Sequence, residues 1–220
     1  MRFDTVARWA QDVAEDASSS RDDNEGSAPV WVVKTAWIRI DTRPVCEREL
    51  QVATWCDGYG RAWARRRVDI AGERCVARCS TTWISVDRAS GSPRPLDQRA
   101  MEILEKVCRR RTGVPRLRIV EPPPEASTHT WHIRASDFDL LGHVNNAAYL
   151  EAVEEILAEA EHLDGSPSTI DVYAQYERPV NSRMDLGLHW WSDGSDLRVW
   201  LCDDRGVVFY AVCSASQPAE

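Results

Sequence analysis

The sequence predicts an α+β protein made of two successive units, each a helix followed by an antiparallel β-meander. Three observations lead there. A helical pattern opens each unit, several β-patterned stretches follow it, and short motifs recur in the same order in both halves.

In the first unit, residues 5 to 17 place Val6, Trp9, Ala10, Val13 and Ala17 on one face, with Arg8, Asp12, Glu15 and Asp16 largely opposite. The polar run Ser18 to Ser27 is expected to be a loop. From Val30 the pattern becomes β: W-V-V-K-T-A-W-I-R-I, L-Q-V-A-T-W, A-W-A-R-R-R-V-D-I and C-V-A-R-C-S-T-T-W-I-S-V are rich in β-branched and aromatic residues. Turns are expected at D-G-Y-G (57 to 60) and A-G-E (71 to 73). The unit closes at G-S-P-R-P. A short helix over Asp97 to Arg111 and the crossing E-P-P-P-E (121 to 125) lead out of it.

The second unit begins with T-H-T-W-H-I-R-A-S as a strand, followed by a helix running to about His162 with Tyr149, Val153 and Ile156 on one face. Strands return in I-D-V-Y-A-Q-Y, M-D-L-G-L-H-W-W, L-R-V-W-L-C and V-V-F-Y-A-V-C-S. The halves superimpose motif by motif. R-P-V-x-x-R stands at 43 to 48 and 178 to 183, W-C-D-G at 55 to 58 answers W-S-D-G at 191 to 194, and A-R-C-S at 77 to 80 answers A-V-C-S at 211 to 214. In the helices Trp9 falls over Tyr149 and Val13 over Val153, so an internal duplication is expected.

Composition narrows the function. A chain of 220 residues with 43% hydrophobic content can bury a sizeable core. No run of about 18 apolar residues is present to span a membrane, and acids near the start do not suit a signal peptide, so a cytoplasmic location is expected. The net charge of −8 argues against a nucleic-acid partner. Basic islands at Arg65-Arg66-Arg67, Arg109-Arg110-Arg111 and Arg116 with Arg118 suit an acidic protein partner or plain solvated surface. The seven cysteines form no C-x-x-C pair and are expected to be reduced and mostly buried; no metal or other cofactor is expected. Most of the ten tryptophans are expected in the core, with some bounding an apolar pocket.

Reactive side chains concentrate in one place. Asp137, Asp139, His143, Asn145 and Asn146 straddle Gly142 immediately before the second helix, where backbone N–H groups and the helix dipole favour negative charge. Capping alone needs one or two polar residues, and five are present. The first unit has only four residues ahead of its helix, so it is expected to lack both this cluster and the preceding strand, leaving one active site per chain.

The stretch D-x-D-x-x-G-H-V-N-N-A-x-Y from Asp137 to Tyr149 resembles the motif of hotdog-fold thioesterases. Through V-A-R-W-A-Q-D-V-A, T-W-C-D-G and W-I-S-V-D the whole chain resembles the bacterial and plant acyl-ACP thioesterases. The resemblance implies a tandem (double) hotdog, each half a central helix wrapped by an antiparallel sheet. Residues 1–95 would form the N-terminal hotdog, 96–127 the linker and 128–220 the C-terminal hotdog with the active site. It also implies hydrolysis of fatty acyl-ACP, with acyl carrier protein and its acyl-phosphopantetheine as partner. A fused pair leaves both monomer and homodimer open.

On this resemblance Asp139 takes the place of the catalytic acid, as base or nucleophile, His143 orients the attacking water and Asn145 polarises or positions. Gly142, Val144, Asn146 and Tyr149 are expected to bind substrate, with N–H groups from Gly142 to Val144 receiving the oxyanion. Glu154 or Glu155 would support His143 or simply be solvated. Three positions depart from the plant pattern: Leu141 replaces an Asn, and Pro179 and Val180 replace a Glu and a Cys. An acyl-CoA or aryl-CoA thioesterase, or a non-catalytic acyl-binding module, therefore stands beside the leading expectation. The spaced prolines of hotdog dehydratases do not follow His143.

Overall fold

The β-branched runs pair into one nine-stranded antiparallel sheet rather than two separate ones. The computed structural model describes residues 2–19, 30–42, 49–73, 76–108, 116–139, 142–159, 169–194 and 196–216. In chain order the elements are α1 (Phe3–Ser19), β1 (Val30–Thr42), β2 (Gln51–Gly60), β3 (Trp63–Ala71), β4 (Val76–Val86), α2 (Gln98–Val107), β5 (Ser127–His132), α3 (Asn146–Glu159), β6 (Thr169–Tyr176), β7 (Asp185–Ser192), β8 (Asp196–Asp203) and β9 (Gly206–Ser216). The sheet order is β2-β3-β4-β1-β6-β9-β8-β7-β5.

That order is mirrored about the β1–β6 ladder, which runs from Thr35 opposite Gln175 to Ile40 opposite Ile170. β2-β3-β4-β1 answers β7-β8-β9-β6, and β5 is added beyond β7. The repeated cysteines take matching places, Cys79 on β4 and Cys213 on β9, both buried. The mirrored order and these paired positions fit the duplication read from the motifs.

Alternation places Ile38, Ile40, Cys79, Val172, Ala174, Leu197, Val199 and Leu201 on the inner face, where α1 and α3 lie against them and against each other. α3 buries Ala147, Ala148, Tyr149, Leu150, Ala152, Val153, Ile156 and Leu157 because it has the sheet on one side and α1 on another. α1 buries Phe3, Val6, Ala7, Ala10 and Ala14. Its Trp9 and Val13 instead line a groove of about 260 Å³ with Asp12, Leu50 and Val52.

The connecting segment crosses part of the outer face. Leu117 N–H donates to Gln175 Oε1 at 2.8 Å, and Trp200 Nε1 donates to the Val120 carbonyl at 2.7 Å. This strap buries Trp200 completely although its strand neighbours Val199 and Leu201 face the other way.

Several local expectations change. D-G-Y-G is not a turn: Gly58, Tyr59 and Gly60 stay in the β2–β3 ladder beyond an irregularity at Cys56/Gly58, and the reversal falls at Arg61 and Ala62. Gly60 is required because the Trp63 indole occupies the place of a Cβ, 2.2 Å from it at Nε1. The predicted strand into the site stops at His132, and Ala135–Asp137 forms a 3-10 turn. α2 ends at Val107, capped at its start by Asp97 accepting from Ala100 N–H at 2.7 Å; it buries no side chain, and residues 109–115 lie outside the described residues. Of the tryptophans only Trp200 is buried; the others are partly covered or exposed, and Trp9, Trp83, Trp131 and Trp190 pack against the margin of the core.

Candidate active site

The chain leaves β5 and builds a closed loop before α3. Arg134 and Asp137 cap the 3-10 turn: Arg134 N–H donates to Asp137 Oδ2 at 2.7 Å, and its Nε to Oδ1 at 2.9 Å. The Asp137 carbonyl then accepts Asn145 N–H at 2.7 Å, and Phe138 bridges to Val144. Inside this ring Asp139 N–H donates to the His143 carbonyl at 2.8 Å, while His143 N–H donates to Asp139 Oδ1 at 3.0 Å. Gly142 sits at φ +75°, the left-handed conformation a side chain resists, and its N–H reaches the Asp139 carbonyl at 3.1 Å. Val144 N–H donates to the Val180 carbonyl at 2.8 Å, fixing the loop to the segment after β6. Asn145 caps α3, its Oδ1 accepting Ala147 N–H at 2.9 Å.

Asp139 thus stands half-buried at the positive end of α3. Behind it lies Tyr149, 3% exposed, packed on Tyr176 and Phe209 with ring centroids 5.7 and 5.4 Å away. Burial pushes the Tyr149 hydroxyl up to about 12, with the Asp139 charge adding to the rise and a hydrogen bond to the Val180 backbone opposing it. Tyr149 is therefore a neutral group backing the carboxylate at physiological pH. Tyr176 Oη donates to the Asn146 carbonyl at 3.1 Å, holding the first turn of the helix. The His143 ring is half-buried and has no hydrogen-bond partner among the described residues.

Residues 1–105 match the model of the acyl-ACP thioesterase N-terminal domain, and residues 120–198 that of the acyl-ACP thioesterase C-terminal domain. The chain belongs to the acyl-ACP thioesterase family. An uncharacterized protein of Mycobacterium tuberculosis is 23% identical over 192 residues, covering 86% of this thioesterase and 75% of its own length. A chloroplastic oleoyl-acyl carrier protein thioesterase of Coriandrum sativum is 25% identical over 142 residues, 57% of this chain and 38% of that protein. Among solved structures, an acyl-ACP thioesterase from Bacteroides thetaiotaomicron superimposes with a TM-score of 0.79 at 16% identity, covering 98% of this chain and 90% of that one. A 12:0-ACP thioesterase from Umbellularia californica gives 0.78 at 16% identity, covering 99% and 91%. The likeness to these structures is one of fold, the double hotdog.

The thioesterase fold brings Asp139, Gly142, His143, Val144, Asn145, Asn146 and Tyr149 into one loop and helix start, but gives some of them other work. The N–H groups of Gly142, His143 and Val144, expected to receive an oxyanion, are all engaged within the loop or with Val180. The Asn146 N–H, first in the helix, has no partner among the described residues. Val144 and Tyr149 are buried. Glu154 turns to α1, where it accepts from Arg2 Nε at 2.5 Å and from the Phe3 N–H, and Glu155 is exposed. Leu141 lies outside the described residues. Val180, where the plant pattern has a Cys, is 3% exposed and anchors the loop through its carbonyl.

Cys56, Cys79, Cys202 and Cys213 are not activated nucleophiles. Burial pushes the Cys56 and Cys79 thiols up to about 12 and Cys202 up to about 11, and raises Cys213 further. Cys46 and Cys75 lie outside the described residues. Of the basic islands, Arg65 and Arg67 are paired with Asp57 at 2.7 Å and Asp69 at 2.6 Å, Arg109-Arg110-Arg111 lie outside the described residues, and Arg116 and Arg118 are exposed. Sequence reasoning missed Arg134, Glu151 and Tyr176. The capping pair Arg134 and Asp137, three residues apart, was a signal within reach; the contacts of Glu151 and Tyr176 span elements and leave no local pattern.

Proposed function

We propose that Asp139 is the general base with which this protein hydrolyses fatty acyl-ACP to free fatty acid and carrier protein. The observation that carries the reading is the seat of Asp139: its Oδ1 is fixed by the His143 N–H at 3.0 Å, at the start of α3 and in front of a neutral tyrosine. Asp139 takes a proton from water as the water oxygen attacks the thioester carbonyl carbon. The oxyanion that forms is stabilised by the Asn146 N–H and the Asn145 Nδ2, since Asn145 Oδ1 is committed to the cap. Collapse of the intermediate breaks the C–S bond, and the thiolate leaves and takes up the proton. His143, with its ring free of protein hydrogen bonds among the described residues, positions the water.

The carrier meets the sheet end that holds the catalytic loop. Val30 pairs with Val86 and Thr35 with Gln175, so the start of β1, the end of β4 and the end of β6 share one rim. Exposed Arg61, Arg88, Arg94 and Arg183 stand on that rim, suited to an acidic carrier surface. The expected setting is fatty acid biosynthesis in the cytoplasm.

The test is free-thiol release from acyl-ACP and acyl-CoA of graded chain length. Turnover with kcat/KM higher on the carrier-borne thioesters is expected. Higher kcat/KM on coenzyme A esters would move the assignment to acyl-CoA hydrolysis. Tight acyl-ACP binding without thiol release would make Pro179 and Val180 marks of a non-catalytic acyl-binding protein.

A further inference from the structure

We infer that Arg8 of α1 is a positioning residue for the catalytic loop, acting through Glu151 and Arg134 on Asp137. Its kinetic consequence rests on the thioesterase reading above. α1 contributes no group to the chemistry, yet Arg8 Nη2 donates to Glu151 Oε1 at 3.1 Å. Glu151, on α3, accepts from Arg134 Nη2 through Oε2. Arg134 closes on both carboxylate oxygens of Asp137, reaching Oδ1 from Nη2 at 2.8 Å and from Nε at 2.9 Å. Asp137, 2% exposed, is held by its carboxylate while its backbone carbonyl accepts the Asn145 N–H at 2.7 Å, fixing the residue that caps α3. The first Asp of the D-x-D motif is thus an anchor, and only the second faces the reaction.

The chain works because two carboxylates compete for one guanidinium. Glu151 and Asp137 both bind Arg134, and their side chains are 14% and 3% exposed, so water satisfies neither well. Arg8 answers one oxygen of Glu151 and leaves Arg134 seated on Asp137. Without Arg8, Glu151 draws Arg134 toward itself, and Asp137, Asn145 and the intervening loop lose their register. Arg2 offers a comparison for helix docking: it ties α1 to α3 through Glu154 at 2.5 Å and shares Asp4 with Arg8, at 3.2 and 3.6 Å, but makes no hydrogen bond to Glu151 or Arg134 among the described residues.

The experiment compares Arg8→Met, Arg8→Lys and Arg2→Met in the full chain by kcat, KM and amide hydrogen exchange at Asn145. Arg8→Met is expected to lower kcat about tenfold with KM within about twofold, and to speed Asn145 exchange similarly. Arg8→Lys restores most of both, and Arg2→Met has clearly the smaller effect on both. In a double-mutant cycle Arg8→Met and Arg134→Met are non-additive. An unchanged Arg8→Met, equal losses in Arg2→Met, or additivity would overturn the inference. If the parent turns over no thioester, the thioesterase reading falls while the exchange measurements still judge the positioning chain.

Discussion

Asp203 shows how a guanidinium holds a buried carboxylate near the start of β9. Its side chain is 2% exposed, and Arg178 grips it, Nη2 to Oδ1 at 2.5 Å, while donating to the Gly206 carbonyl at 2.8 Å. The Arg178 guanidinium, with help from the Arg205 N–H, holds the Asp203 carboxyl well below the usual carboxylate range. A carboxyl depressed in the folded state contributes stability above its unfolded value of about 3.9, and that contribution is lost as pH falls through the folded value. Arg178→Met leaves the Asp203 carboxylate with only the Arg205 N–H and a longer contact to the Arg205 side chain, and is expected to cost about 2 kcal/mol at pH 7, less than a fully buried pair because Arg178 keeps some exposure and Arg205 remains. Urea unfolding at pH 7 and pH 3 checks it: the difference between parent and variant should narrow at the lower pH. Arg178 is two residues from Val180, so the variant also reports on the loop's outer anchor.

At the scale of elements, the periodicity of α1 and the β runs were plain in the sequence because each has one face toward a common core, whereas α3, buried between the sheet and α1, shows a broader apolar surface than its Tyr149–Val153–Ile156 face. What the sequence hid was set by partners. D-G-Y-G carries turn residues, but its glycines serve the bulged ladder and the Trp63 ring. Tryptophans read as core because of their size, whereas all but Trp200 are partly covered or exposed. The site cluster was legible as a group, since five polar residues before a helix exceed what a cap requires. Individual roles were not: whether an N–H or a side chain is spent inside the loop depends on Val180 and Glu151, which meet it through folding.

For the whole molecule, the mirrored order of strands carries both halves in one sheet, so the rim is continuous across them. A carrier protein bound to Arg61, Arg88 and Arg94 in the first half would deliver its acyl arm to chemistry in the second. Arg61→Glu with Arg94→Glu is expected to raise KM for acyl-ACP about tenfold or more while leaving acyl-CoA turnover within about twofold, as suits electrostatic steering at a rim. Steady-state kinetics at low and moderate salt checks this, because the loss should shrink as salt screens the parent's advantage.

The thioesterase reading turns on the Asp139 carboxylate as the base. The direct measurement is single-turnover thiol release from acyl-ACP by Asp139→Asn, an isostere that can still accept the His143 N–H and so preserves the loop. The expected result is a rate lower by about 100-fold or more with folding and acyl-ACP affinity intact. A variant that folds, binds and releases thiol at the parent's rate would contradict the assignment and move the chemistry elsewhere.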